Sequence, residues 1–214
     1  MSDPVKSTTG RGTRRATQAR ATRRRIIDAA RELFLRQGYA STTLDQIAAA
    51  AGVAVQTVYF HFGNKATVLK EIIDVLSVGD DEPMPVLDRP WIEQVREEPD
   101  GHRALAIWLA NSRVIFGRVA PIMTIVRDAA GADAEMAAQW ETNQGQRYIA
   151  HHVLAGLLAD KQALHPALST EEAADVIFTM ISFEVYHLLT RVRGWTPDQW
   201  ERWIHKILAA AILR

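Results

Sequence analysis

Cysteine is absent from the 214 residues. That excludes disulfides, thiol redox chemistry and every thiolate metal site, and it fits a cytoplasmic setting. Net charge is lacking too: 25 Lys and Arg stand against 25 Asp and Glu, so bulk charge alone points to no polyanionic partner. No phosphate-cradling glycine loop occurs, and no hydroxyl nucleophile has a recognisable base or elbow around it. No apolar stretch reads as long enough to span a bilayer, so no membrane partner is expected. Large apolar side chains are almost missing from the first 25 residues, which therefore cannot build a core. A secretory signal would need an apolar stretch after their positive charges, and none is found there.

What is present is an uneven distribution of charge. Residues 1–70 hold 12 Lys and Arg against 4 acids, whereas residues 71–214 hold 13 against 21. The two parts are +8 and −8. A basic N-terminal part with an acidic remainder is the footprint of a protein in which one domain meets a polyanion. The first 25 residues alone carry eight Lys and Arg and one acid. They read as a disordered basic arm over residues 1–22, with Arg23, Arg24 and Arg25 opening the first helix beside a phosphate backbone. A merely solubilising tail is the other reading.

The stretch TTLDQIAAAAGVAVQTVYFHFGNKATVL, Thr42 to Leu69, has the layout of a helix-turn-helix. Thr43 and Gln46 have capping-box spacing for a helix continuing through Ala51, and Gly52 supplies the left-handed residue on which such helices end. A second short helix from about Val55 to His61 turns Val55, Val58 and Phe62 inward, leaving Gln56, Thr57, Tyr59, Phe60 and His61 outward. Asn64 can cap a third helix. Lys65 then falls in its first turn, where a cation is unfavourable for the helix dipole and an outside anion would offset the cost. Tyr59, Phe60 and His61, taken singly, also fit a bundle core or an ordinary surface. Outward Gln-Thr-Tyr-His beside inward valines and a turn glycine is hard to assemble for packing alone.

AGVAVQTVYFHFGNKATVL, with GYASTTLDQIA upstream, resembles the DNA-binding signature of the TetR family of transcriptional regulators, over about Arg24 to Leu76. The resemblance implies that Tyr59, His61 and Lys65 hold phosphates and that Thr43 meets the DNA backbone, beside the Arg24 already placed there by the basic run. It also implies that Val55, Gln56, Thr57 and Phe60 approach base edges. Ala54 departs from the pattern, because a polar residue often stands there, so the recognition helix lacks a side-chain cap.

Beyond Ser77, GDDEPMPVLDRPW reads as a loop, and no later segment reads as a strand. Helical periodicity returns at about 101–119, a short piece after Pro121, 134–158, 169–192 and 196–213. Capping boxes open the last two, at Ser169 and Thr196. The expected fold is all-α, with about nine helices: the arm, a helix-turn-helix head over residues 23–77, and a larger helical domain over 78–214. The Ser169 helix is apolar nearly all round, so it must be covered on both sides.

In TetR-type proteins the last two helices pair with those of a second subunit, which implies a homodimer through Ile177, Ile181, Leu188, Trp200, Ile204 and Leu208; burial inside a monomer is the alternative. The resemblance further implies a small-molecule chamber, with Trp108, Phe116, Met123, Trp140, Tyr148, Phe178 and Phe183 as lining residues, though each also fits ordinary core. Enzyme readings find little. Glu184 and His187 have the Glu-x-x-His spacing of di-iron bundles but no second pair, His151 and His152 diverge on a helix, and Glu201 with His205 is an exposed helix pair. No metal site and no cofactor are expected. The resulting expectation is a homodimeric DNA-binding regulator, a repressor released from a palindromic operator by a small molecule. A ligand-independent DNA-binding module whose large domain only dimerises or docks a partner protein is the alternative.

Overall fold

The computed structural model describes residues 9–79 and 84–214, with side chains from Arg15 onward. Contacts divide the chain into two compact units, Met1–Ile72 and Ile73–Arg214. No strand occurs among the described residues; an isolated bridge pairs Leu164 with Leu213.

The N-terminal unit is built on α1 (Thr9–Gln37), α2 (Leu44–Ala51), α3 (Val55–Phe62) and the start of α4 (Lys65–Val78). Ile26, Ile27, Ala30, Leu33 and Phe34 form the buried stripe of α1. The recurrence at three- and four-residue steps puts them on one face, and each large side chain so buried contributes about 1.5–3 kcal/mol. The disordered arm expected over residues 1–22 is corrected here: α1 already begins at Thr9, and Met1 to Thr8 lie outside the described residues. The packed stripe nucleates the helix, and Ala, Arg and Gln then extend it at little cost per residue. Residues 15–21 are exposed on all sides, as their composition requires.

In the C-terminal unit a 3-10 turn, Val86–Asp88, precedes α5 (Pro90–Glu97), α6 (Gly101–Ala130), α7 (Ala134–Asp160), α8 (Thr170–Met180), α9 (Phe183–His187) and α10 (Pro197–Ile212). Counting α8, α9 and the π turn Leu188–Val192 that continues α9 as one interrupted helix, the described residues hold nine.

Three departures from the sequence reading have physical causes. The proline-rich stretch yields α5, because Pro90 is suited to the first helical position and Ile92 and Val95 bury against the core. Pro121 does not end α6, which runs straight through it; the proline withholds one N–H from the Gly117 carbonyl, and packing of Val119, Ala120, Ile122 and Met123 holds the helix together. The long Ser169 helix is broken at Ile181 (φ −90°, ψ 69°). Ser182 then caps a new helix, its Oγ accepting from the Val185 N–H at 3.2 Å.

The core of this unit gathers α6, α7, α8 and α10. Trp200 is fully buried there, its indole 5.2 Å from the Tyr186 ring in an edge contact and 5.7 Å from Phe116. Arg113 ties α6 to the start of α10 through Asp198 at 3.1 Å and Glu201. By length and composition alone, Gly101–Ala130 and Thr170–Val192 could cross a membrane, contrary to the expectation that no stretch is long enough. Their apolar side chains include core residues such as Leu105, Leu109, Ala174 and Ile177.

Candidate nucleic-acid interface

The head is assembled from short-range caps that the sequence specifies. Thr43 Oγ1 accepts from the Gln46 N–H at 3.2 Å while Gln46 Oε1 accepts from the Thr43 N–H at 3.0 Å. Both orphan donors at the start of α2 are thereby satisfied, and the exposed Thr43 hydroxyl keeps its proton to donate. Gly52, at φ +64°, closes the helix with the left-handed turn that leads into α3. Val58 and Phe62 are buried beneath α3, and Val55 is half-buried.

The opposite side of α3 is turned to solvent. Gln56 is exposed, Tyr59 is 53% exposed and Phe60 86%; Thr57 and His61 are half-buried. Phe60, so open to water and beside the exposed Tyr59, contributes little burial to its own domain, and the pair forms an apolar surface suited to meeting something else. Ala54, the residue at the N-cap of α3, offers no side-chain cap, and the Thr57 N–H donates instead to the Ala54 carbonyl at 2.9 Å. Asn64 caps α4, its Oδ1 accepting from the Thr67 N–H at 2.8 Å.

Two cations differ from their expected roles. Lys65 has partners within the chain: its Nζ donates to the carbonyls of Tyr39 at 2.8 Å and Thr42 at 2.9 Å and lies 4.1 Å from the centre of the Tyr39 ring. Internal carbonyls, rather than an outside anion, offset its cost at the helix N-terminus. Arg24 is exposed but has Nε within 3.1 Å of both Asp28 oxygens, so part of its charge is already met inside α1. Its neighbour Arg23 pairs with Glu71 and covers the Phe62 ring at 5.2 Å, fastening α1 to α3 and α4. Lys65→Met should therefore lower the stability of the head by about 2 kcal/mol, as expected for losing hydrogen bonds from a charged donor. Urea unfolding followed by circular dichroism measures this. An unchanged midpoint, with a salt slope of DNA binding reduced by about one, would restore the phosphate role.

In the C-terminal unit the expected dimer face needs correction. Ile177, Ile181, Trp200, Ile204 and Leu208 are each 0% exposed within their own chain, because α8 and α10 turn these side chains onto the shared core. Leu188, at 52%, is the one of the six open to a partner. The break at Ile181 gives the segment an inner and an outer side that its nearly uniform apolar composition conceals.

The seven expected chamber residues lie in different surroundings. A cavity of about 290 Å³ lies between α6, α9 and the segment before α10, lined by Gly117, Pro121, Thr124, Tyr186, His187 and Trp195 among others, and by none of the seven expected residues. Met123 is fully buried core, and Phe116 packs on Phe183 at 4.7 Å and on Tyr186 and Trp200. Trp140 is half-buried on α7. The other four lie near the polar groups of α7. His151 is 3% exposed, with its ring 6.4 Å from Trp108 and 6.1 Å from Phe178, and Tyr148 is 5.6 Å from Phe178. The Arg147 guanidinium lies 4.2 Å from the centre of the Phe178 ring and 5.5 Å from that of Phe183. Burial draws its pKa down to about 10, opposed by Glu184. Gln144, Arg147 and His151 succeed one another at three- and four-residue steps, a polar stripe on one face of α7. That spacing was the signal in the sequence.

Comparison with known proteins places these features among relatives. Residues 26–72 match the family described as bacterial regulatory proteins, tetR family. The chain is 52% identical over 58 residues to the uncharacterized HTH-type transcriptional regulator TtgW of Pseudomonas putida, a match covering 27% of this chain and 43% of that protein. It is 29% identical over 168 residues to the HTH-type transcriptional regulator TtgR of the same species, covering 77% of this chain and 78% of TtgR. Among solved structures, it superposes with a TM-score of 0.69 on NalD, the secondary repressor of the MexAB-OprM multidrug efflux pump in Pseudomonas aeruginosa. That likeness spans 92% of this chain and 98% of NalD at 25% identity.

Proposed function

The chain belongs to the TetR family of bacterial regulatory proteins, and from that premise we propose that it is a cytoplasmic, homodimeric repressor that leaves its operator when a small molecule binds the C-terminal unit. The observation that carries the DNA-binding half is the solvent face of α3, where Gln56, Tyr59 and the 86% exposed Phe60 stand clear on two buried anchors. A short helix so presented fits the major groove, and two such helices about 34–36 Å apart read successive grooves of a palindrome. Tyr59 and His61 sit at the edge of that helix and hold phosphates. Gln56 has the two-pronged amide that reads an adenine edge, with Val55, Thr57 and Phe60 beside it.

The repressor reading follows NalD, a repressor by description. Release by a small molecule is supported by the cavity beside Pro121 and by the buried polar stripe of α7. A ligand favouring a state with differently spaced heads shifts the population off DNA only as far as its affinities for the two states differ.

Selection of bound sequences from random duplex DNA tests the reading. The expected product is a palindrome with half-site centres about one helical turn apart. Gln56→Ala should relax choice at one position in each half-site, at a cost of about 1–3 kcal/mol. Leu188→Glu places a charge on an exposed apolar side chain, so that variant should stay folded, sediment as a monomer and lose operator binding at concentrations that saturate the parent. A parent that is monomeric at about micromolar concentration, below which dimers this weak would not serve operator binding, would overturn the homodimer.

A further inference from the structure

Arg147 is a cation whose side chain is only 9% exposed. Its nearest carboxylate oxygen, Glu184 Oε2, is 3.8 Å from Nη1, beyond hydrogen-bond reach. Nε and Nη1 of Arg147, Oε2 of Glu184, Nδ1 of His151 and Oε1 of Gln144 are all buried without a hydrogen-bond partner among the described residues. Buried polar atoms are nearly always paired, and leaving several unpaired together is costly. Such a cost persists where a site is built to be filled.

We propose that the Gln144, Arg147 and His151 face of α7, closed over by Phe178, Phe183 and Glu184, is the anchor of the effector site, and that it takes a planar aromatic anion such as an aryl carboxylate or a phenolate. This deepens the ligand-release reading and rests on it. The guanidinium fork offers two donors in the geometry that a carboxylate accepts, and its face is already stacked on Phe178. Around it stand the rings of Phe178, Phe183, Tyr148, Trp108 and His151, which suit a flat apolar body in offset or edge contact. Gln144 and His151 flank the fork with capacity for one further polar substituent, the amide of Gln144 presenting either its oxygen or its nitrogen.

The sign of the ligand's charge is set by burial. Arg147 is nine-tenths buried, whereas the Glu184 side chain, apart from its buried Oε2, is 42% exposed, so solvent screens its charge in part. With a pKa of about 10, Arg147 remains cationic at neutral pH, and His151, held neutral by burial, adds no charge. The interior field is thus positive, and a cation would meet it unfavourably. An anion that takes the Arg147 fork also displaces Glu184, which sits on the five-residue α9 just past the break at Ile181. A ligand that alters the hold on α9 has the differential contact that a population shift requires.

Calorimetric titration of the full chain with 2-naphthoate and with 2-naphthylmethylammonium separates the outcomes. The carboxylate should bind at least about tenfold more tightly than the ammonium, and Arg147→Met should weaken it by at least about tenfold. Glu184→Gln, which removes the competing carboxylate at a half-exposed position, should strengthen naphthoate binding by about threefold or more. Equal or tighter binding of the ammonium, unchanged naphthoate affinity in folded Arg147→Met, or no saturable binding of either probe up to about 5 mM would overturn the proposal. If Arg147→Met does not fold, Glu184→Gln decides alone, and unchanged or weaker naphthoate binding overturns it. Gel-shift release of the selected operator keeps the two readings apart. Release by the ammonium without the carboxylate would sink the anion site and leave ligand release standing, while naphthoate bound as expected on a protein that stays on DNA would do the reverse.

Discussion

Trp200→Ala is expected to destabilise the C-terminal unit by about 3–5 kcal/mol, the range for removing a large aromatic from a packed core. The indole is 0% exposed and touches rings from two other segments, Phe116 on α6 and Tyr186 on α9. Its Nε1 has no hydrogen-bond partner among the described residues, so the loss is one of packing rather than of a polar contact. Collapse of the surroundings is resisted because α10 is also fixed by Arg113 through Asp198 and Glu201, and the space left behind remains largely a void. Denaturant unfolding followed by far-ultraviolet circular dichroism gives the measurement. A change below about 1 kcal/mol would mean that the core relaxes around the missing ring, as tolerant sites do.

Acid should loosen the same unit through His151. Burial first, and the Arg147 charge second, push its folded pKa from 6.5 to about 3. Between those values the unfolded chain binds a proton that the folded chain refuses, so stability falls as the pH falls. The contribution is fully present above about pH 6.5 and is lost at about 1.4 kcal/mol per pH unit below it, amounting to about 3 kcal/mol by pH 4. His151→Leu removes the titrating group while keeping an apolar side chain beside Trp108 and Phe178. Its plot of unfolding free energy against pH should be flatter than the parent's by that slope over the window. Parallel curves for parent and variant would show that His151 takes up its proton in the folded chain.

How much was legible in the sequence depends on how local the determining interaction is. The capping boxes at Thr43, Ser169 and Thr196, the left-handed Gly52 and the capping Asn64 all act within a few residues, and each forms as the spacing indicates. The outward face of α3 was equally readable, since Val58 and Phe62 fix the helix by its own period. The partners of Lys65 within the chain, the carbonyls of Tyr39 and Thr42, lie 26 and 23 positions earlier, and no local pattern announces a long-range acceptor. Ile177, Ile181, Trp200, Ile204 and Leu208 were assigned to a partner's surface because an apolar residue looks the same whether its cover is this chain or a second copy. The polar stripe of Gln144, Arg147 and His151 is hidden for the opposite reason. Their spacing was visible, but their burial depends on α8 and α9 folding across them.

The break at Ile181 and the π turn at Leu188–Val192 also determine how this segment has to be probed. A helical wheel drawn from Ser169 at roughly 100° per residue loses phase first where Ser182 restarts the helix and again where the π turn accommodates an additional residue. Tyr186 stays buried while Leu188 and Val192 stand 52% and 64% exposed, so cysteine or charge scanning indexed from Phe183 samples the outer side and scanning indexed from Ser169 mixes the two. Deleting one residue within Leu188–Val192 would convert the π turn to an α turn, leaving the core contacts before His187 in register and forcing the Arg193–Thr196 link to absorb the change so that Trp200, Ile204 and Leu208 keep their places in the core.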